Sequence, residues 1–151
     1  MGTLAQKNQG VVVRIGTKAV DPSGDTFTVI NEVTGIGEFG PEAPSIDATA
    51  LADATRHKLK GIPDLGEVQL SGNRSYQDAG QQALLAAGND TDDVAYNFEI
   101  EFDDTLGTNN TKISFKALVL SFKTNSGDVD GLVEFTSGLA ITGQTTEVVA
   151  A

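Results

Sequence analysis

The chain has no cysteine and no tryptophan, and only one histidine, one methionine and four prolines in 151 residues. Without cysteine there is no disulfide framework and no thiolate to act as nucleophile or metal ligand. Stability must come from packing and from whatever neighbouring subunits add. The lone His57 has no second imidazole or thiolate with which to build a nitrogen or sulfur metal site. Lying between Arg56 and Lys58, it reads as a solvated loop residue rather than a general base. No apolar run approaches the roughly 20 residues that a membrane-spanning helix requires. The opening stretch MGTLAQKNQG has neither the basic nor the apolar region of a signal peptide, which leads to the expectation of a protein made and kept in a cytoplasm. Positive charge is also scarce: 10 Lys and Arg face 21 Asp and Glu, for a formal net charge of -11. Such a surface does not grip nucleic acid, because that affinity comes from cations neutralising phosphates. It repels a polyanion passing close by.

What the chain does have is glycine, 17 of them, and an ordinary 39% of hydrophobic residues. Many turns and a single domain spanning 1–151 are expected, in which roughly two thirds of the unfolded surface can be buried. Two-residue alternation dominates. Val133, Phe135, Leu139 and Ile141 alternate with polar residues, as do Phe98, Ile100 and Phe102 with Glu99, Glu101 and Asp103, and Val68 and Leu70 with Glu67, Gln69 and Ser71. Further strands are expected at Val11 to Ile15, Phe27 to Thr34 and Ile113 to Phe122. In the last of these the apolar phase slips, which predicts a bulge or a strand covered on both faces. Turn signals at Asp21 to Asp25, Gly107 to Asn110 and Asn125 to Asp128 space the strands for antiparallel pairing. The fold class that follows is mainly β: an antiparallel two-sheet sandwich or barrel with one flanking α-helix and a long extended loop or hairpin.

That helix is expected over Tyr76 to Ala87, with Ser75 as N-cap, Gly88 at C′, and Tyr76, Ala79, Ala83, Leu84 and Ala87 on the packed face. The stretch from Gly35 to Pro63 carries three of the four prolines, a weak strand around Ser45 to Leu51 and the basic cluster Arg56, Lys58 and Lys60. It reads as an extended arm over 35–63, of the kind that in small domains is functional or mobile.

Enzymatic patterns fail on their surroundings. Gly35 to Gly40 fits G-x-G-x-x-G, but Pro41 and Pro44 stand where a phosphate-binding helix would begin, so nothing supplies the dipole for a pyrophosphate. No G-x-S-x-G elbow marks a nucleophile. Asp90, Asp92 and Asp93, and Asp128 to Gly131, resemble fragments of calcium loops without the closing Glu, and read as turns. Glu99 and Glu101 are same-face strand neighbours, better explained as a solvated face than as a glycosidase pair. The sequon-like triplets beginning at Asn73, Asn89 and Asn109 carry no weight without a secretory signal. No catalytic residue, metal site or cofactor site is expected.

The order of the segments says more than any single motif. A strand ending Val33-Thr34-Gly35-Ile36 is followed by a proline-containing loop, Ile46-Asp47-Ala48-Thr49, the basic stretch, and Lys60-Gly61-Ile62-Pro63-Asp64-Leu65-Gly66-Glu67-Val68-Gln69-Leu70. The helix segment Gly80-Gln81-Gln82-Ala83-Leu84-Leu85 and the later strands complete it. In this order, over nearly the whole chain, the sequence resembles the major tail tube proteins of long-tailed bacteriophages. The resemblance implies a non-enzymatic subunit forming six-membered rings, stacked into a hollow tube through which DNA passes without specific binding. Its implied partners are further copies of itself and other tail proteins: tape measure, tail terminator, and baseplate or tip. Its implied location is the virion tail, assembled in a host bacterial cytoplasm. Secretion-system tube proteins share the architecture, and a monomeric β-sandwich binding module is a further alternative. Under this reading Glu67, Glu99 and Glu101 are candidate lumen residues, Arg56, Lys58 and Lys60 a candidate ring-to-ring contact, and residues 1–10 a flexible arm that orders in the polymer.

Overall fold

The computed structural model describes residues 10–151. The N-terminal arm expected over 1–10 lies, but for Gly10, outside them. The chain is mainly β. In order it forms β1 (Val12–Ile15), a short 3-10 turn (Pro22–Gly24), β2 (Thr28–Ile30), β3 (Val33–Ile36), β4 (Ser45–Asp47), β5 (Lys58–Lys60) and β6 (Glu67–Asn73). The helix α1 (Ala79–Asn89), β7 (Tyr96–Glu101), β8 (Lys112–Asn125) and β9 (Glu134–Val148) follow.

Seven strands make one antiparallel sheet in the order β2-β1-β7-β8-β9-β6-β3, and β4 with β5 make a separate ribbon. The expectation of two sheets therefore holds in a lopsided form, with one large sheet and a small hairpin. The expected strand from Phe27 to Thr34 is two strands, and they occupy opposite edges of the large sheet. Only Asn31 and Glu32 separate them, so the sheet must curl until its edges meet around that dipeptide, although β2 and β3 are not hydrogen-bonded to each other. Glu32 takes the break in a left-handed conformation, φ 64°, which an L-residue adopts only when its surroundings hold it there.

Curling sends every second side chain inward. Val13, Ile15, Ile30, Val68, Leu70, Phe98, Ile100, Phe115, Phe135, Leu139 and Ile141 form one buried core. Phe98 stacks on Phe115 and Phe122 on Phe135, with centroids 5.6 and 5.4 Å apart. The phase slip in β8 is a bulge: the pairing register shifts between Val119 and Ser121. Leu120 is thereby left exposed while Phe122 returns to the core side.

Helix α1 starts later than expected and packs on a face rotated from the expected one, which keeps Leu84, Ala87 and, partly, Ala83 against the core. Its N-cap is Asp78, which accepts from Gln81 N, not Ser75; Gly88 lies inside the helix, which ends at Asn89. The buried positions are Gly80, Gln81, Leu84 and Ala87, while Tyr76 and Ala79 are exposed. The cause is close approach to β2. A Cβ on Gly80 would stand 2.1 Å from the Val29 carbonyl oxygen, so only glycine fits. Ala in place of Gly inside a helix ordinarily gains up to about 1 kcal/mol. Gly80→Ala is expected to invert that sign and cost about 1–3 kcal/mol through backbone displacement, read as a lower urea midpoint.

Candidate functional site

The arm stands away from the body. A ladder climbs from its root, where Glu42 and Asp64 exchange backbone hydrogen bonds of 2.8 and 2.7 Å, through Gly61 N to Pro44 O at 2.7 Å, into β4 and β5. There Ser45 faces Lys60, Ile46 faces Leu59 and Asp47 faces Lys58. The turn is tied locally: Ala50 N donates to Asp53 Oδ2 at 2.6 Å and His57 N to Thr49 Oγ1 at 2.9 Å. Strand alternation sorts the ribbon into two faces. One carries Ile46 and Leu59, the other Lys58, Lys60 and Asp47. Both strands are exposed throughout, as are Leu51 near the turn and Ile62 at the base. An isolated two-stranded ribbon is marginal in water, and this one has a bare apolar face.

The three candidate contact residues are thus brought together on the ribbon. Arg56 lies 3.5 Å from Asp47, and among the described residues Lys58 and Lys60 have no acidic partner within ion-pair distance. His57 is exposed in the same hairpin, 3.8 Å from Asp53.

The three candidate lumen residues share the outward face of the large sheet but do not cluster. Glu99 and Glu101 on β7 meet Arg14 of β1 at 2.9 and 3.1 Å, and Lys112 of β8 at 3.8 and 3.6 Å. Asn110 Nδ2 donates to Glu101, and this bond together with Arg14 lowers the carboxyl's pKa against the opposing effect of burial. Glu67 is exposed on β6, three strands from β7. The pairing of Glu99 and Glu101 with cations from two neighbouring strands was invisible in sequence, because it depends on which strands adjoin.

Two polar knots fix the loops around this frame. Asn97, fully buried, donates to Ala19 O and to Asp25 Oδ2 at 2.9 and 2.8 Å, while Lys116 donates to Asn97 Oδ1 at 3.0 Å. Thr17 donates to Asp25 from both its backbone N and its hydroxyl. Partial burial opposes charge on Asp25, but the hydrogen bonds from Asn97 and Thr17 outweigh it and hold the carboxyl at about 2, below its ordinary 3.8. A carboxyl depressed in the fold contributes stability above its unfolded pKa and loses it on acidification. Stability should therefore fall between about pH 4 and pH 2, and Asp25→Asn should flatten that part of an acid-unfolding curve. In the second knot Lys18 binds Asp90, and Asp92 at 2.9 Å, and Tyr96 Oη donates to Asp90 at 2.7 Å. Lys18 holds the Asp90 carboxyl well below its usual range. The calcium-like fragment is thus occupied by a lysine, and no group of three or more metal-ligating side chains forms among the described residues.

In the G-x-G-x-x-G stretch Gly35 and Ile36 end β3, and the helix α1 begins only at Ala79. At the open seam of the sheet a cleft of about 270 Å³ is lined by Val11, Val33, Ile36, Phe39 and Phe102, with no titratable side chain. A wider groove at the arm's root carries Glu38, Glu42, Asp64 and Glu67.

The fold is thus a curled antiparallel sheet with one helix packed on it and an outlying ribbon whose apolar residues Ile46 and Leu59 are exposed. No protein-family model matches the sequence, and no curated protein does. Solved structures do match its fold. The tail of an empty gene transfer agent particle, of C6 symmetry, is 16% identical, with 96% of this chain and 100% of that chain covered and a TM-score of 0.70. The SPP1 tail tube is also 16% identical, with 95% and 78% covered and a TM-score of 0.69. The sheath-tube complex of an extracellular contractile injection system is 10% identical, with 97% and 93% covered and a TM-score of 0.72. The resemblance read from the sequence is upheld at the level of fold: this chain has the tail-tube fold.

Proposed function

We propose that the protein is a structural, non-enzymatic subunit that stacks into the hollow tail tube of a phage-like particle. The observation that carries this reading is the match of fold over nearly the whole chain to tube components, in a molecule whose ribbon has no apolar cover of its own. Six copies per ring is the arrangement favoured by the C6 symmetry of a matching tail. Arg56, Lys58 and Lys60 make the ring-to-ring contact. Glu67, Glu99 and Glu101 face the lumen. There Glu99 and Glu101 come with Arg14 and Lys112, so part of the wall is a neutral ionic lattice and Glu67 is bare acid. With a net charge of -11, the tube lets DNA slide without holding it. Tape measure, terminator and baseplate proteins meet the tube in a virion tail assembled in the host cytoplasm.

A second reading, a tube of an injection or secretion machine, is favoured by the match to the contractile injection system, and differs in cargo rather than in assembly. Negative-stain electron microscopy across a concentration series, with light scattering alongside, tests the common element. Tubes or stacked rings are expected. A compact monomer at every concentration would count against both readings and favour a β-sandwich binding module.

A further inference from the structure

The knot around Asn97 brings together an amine, an amide and a carboxylate that the tube reading leaves unused. Asn97 on β7 and Lys116 on β8 stand directly opposite each other in the antiparallel register, which sets their Cβ atoms about 5 Å apart. The Lys116 amine donates to Asn97 Oδ1 and to Ala19 O, both at 3.0 Å. Among the described residues no carboxylate stands within ion-pair distance of it, so its partners are carbonyl oxygens. A carbonyl bond is about 1.2 Å long, so Nζ lies no more than about 4.2 Å from the amide carbon Cγ. A small rotation of the lysine side chain closes that to the roughly 3–3.5 Å from which a nucleophile attacks.

The rest of the knot suits the same encounter. Asn97 is fully buried, so bulk water does not reach its amide. Asp25 Oδ2 accepts from Asn97 Nδ2 at 2.8 Å, at the nitrogen that would have to leave. Thr17, through its N–H and hydroxyl, and Thr26 N hold that carboxylate in place. Ala19 O accepts from Asn97 Nδ2 at 2.9 Å as well as from Lys116 Nζ, so it can bind the N–H of an amide built on either nitrogen.

We propose that Lys116 and Asn97 join in an isopeptide bond, with Asp25 as the catalytic acid and base. Nζ, having lost one proton to solvent, attacks Cγ, and the new C–N bond forms as the carbonyl electron pair moves to Oδ1. The pair returns, the Cγ–Nδ2 bond breaks and the nitrogen leaves as ammonia. Asp25 takes the second proton from Nζ and delivers it to Nδ2. One amide is exchanged for another, and the step consumes no oxidant and no cofactor. In a chain without cysteine it ties β7 to β8 by a bond that reductants leave intact, and it restricts the unfolded chain as a disulfide would. The tie does not depend on the tube reading.

Intact mass of the full chain, followed from purification onward, reads the reaction. Expected are the loss of one ammonia from the folded chain, no loss from chain held unfolded in urea, and a branched tryptic peptide linking Asn97 to Lys116. Lys116→Arg should abolish the loss, and Asp25→Asn should slow it by at least about a hundredfold. Circular dichroism checks that both variants fold; if one does not, the mass and the branched peptide of the unaltered chain still decide. A folded chain that keeps its full sequence mass would overturn the proposal. So would an ammonia loss that persists in Lys116→Arg, which would mark succinimide formation at another asparagine.

Discussion

Gln81→Leu is expected to lower the unfolding free energy by about 3–5 kcal/mol, a large share of what a domain of this size possesses. Gln81 is wholly buried, and its side chain makes four hydrogen bonds. Its Nε2 donates to Asn31 O at 3.0 Å and to Asn73 O at 2.9 Å; its Oε1 accepts from Ser75 N at 2.8 Å and from Arg74 Nη1 at 2.9 Å. One amide therefore holds the dipeptide joining the sheet's two edges, the end of β6 and the approach to α1. Leucine fills much the same space but takes this partner from the Asn31 and Asn73 carbonyls, the Ser75 N–H and an Arg74 N–H, all in part-buried bonds, and an unmade buried hydrogen bond costs about 1–3 kcal/mol. The neighbouring Gln82 is the control. It is exposed and makes a single bond to Tyr76 O, so Gln82→Leu should change stability by no more than about 0.5 kcal/mol. Urea unfolding of the two variants measures the difference, and equal effects would sink the argument.

Replacing residues 45–60 by a short Gly-Ser linker is expected to do the reverse, leaving the domain folded and abolishing assembly. Both ribbon strands are exposed along their length, and the buried core contains no residue between Ile30 and Leu65. The unfolding midpoint should stay close to that of the intact chain, because nothing that packs is removed. Assembly should fail, because the deletion takes Ile46, Leu59, Lys58 and Lys60 together. Light scattering should show a monomer or a lone ring at concentrations where the intact chain forms tubes. Tubes of ordinary length from the deleted chain would remove the arm from the ring-to-ring contact.

These two regions differ in how far they could be read in advance. The arm was legible, because prolines, a weak strand and a cationic cluster in a chain of opposite net charge stand out locally. Gln81 was not. It sits next to Gln82 in a helix rich in Ala and Gly, where apolar contrast around the axis is faint, and only the approach to Val29 and Asn31 decides which glutamine goes inside. The apolar spacing Tyr76, Ala79, Ala83, Leu84, Ala87 gave a face rotated from the true one for the same reason.

By itself the sequence determined the mainly β class, the inward and outward phase of most strands, the bulge in β8, the acidic balance and the outlying arm. All of these follow from local periodicity, composition and turn chemistry. The tertiary structure alone decided that Phe27 to Thr34 is two strands on opposite edges, that the sheet curls to bring them together, and that Glu99 and Glu101 are met by Arg14 and Lys112. Alternation states which side of a strand is buried. Which strands adjoin, and what then stands beside each carboxylate, depends on contacts between residues as far apart as 14 and 101, and no local pattern encodes them.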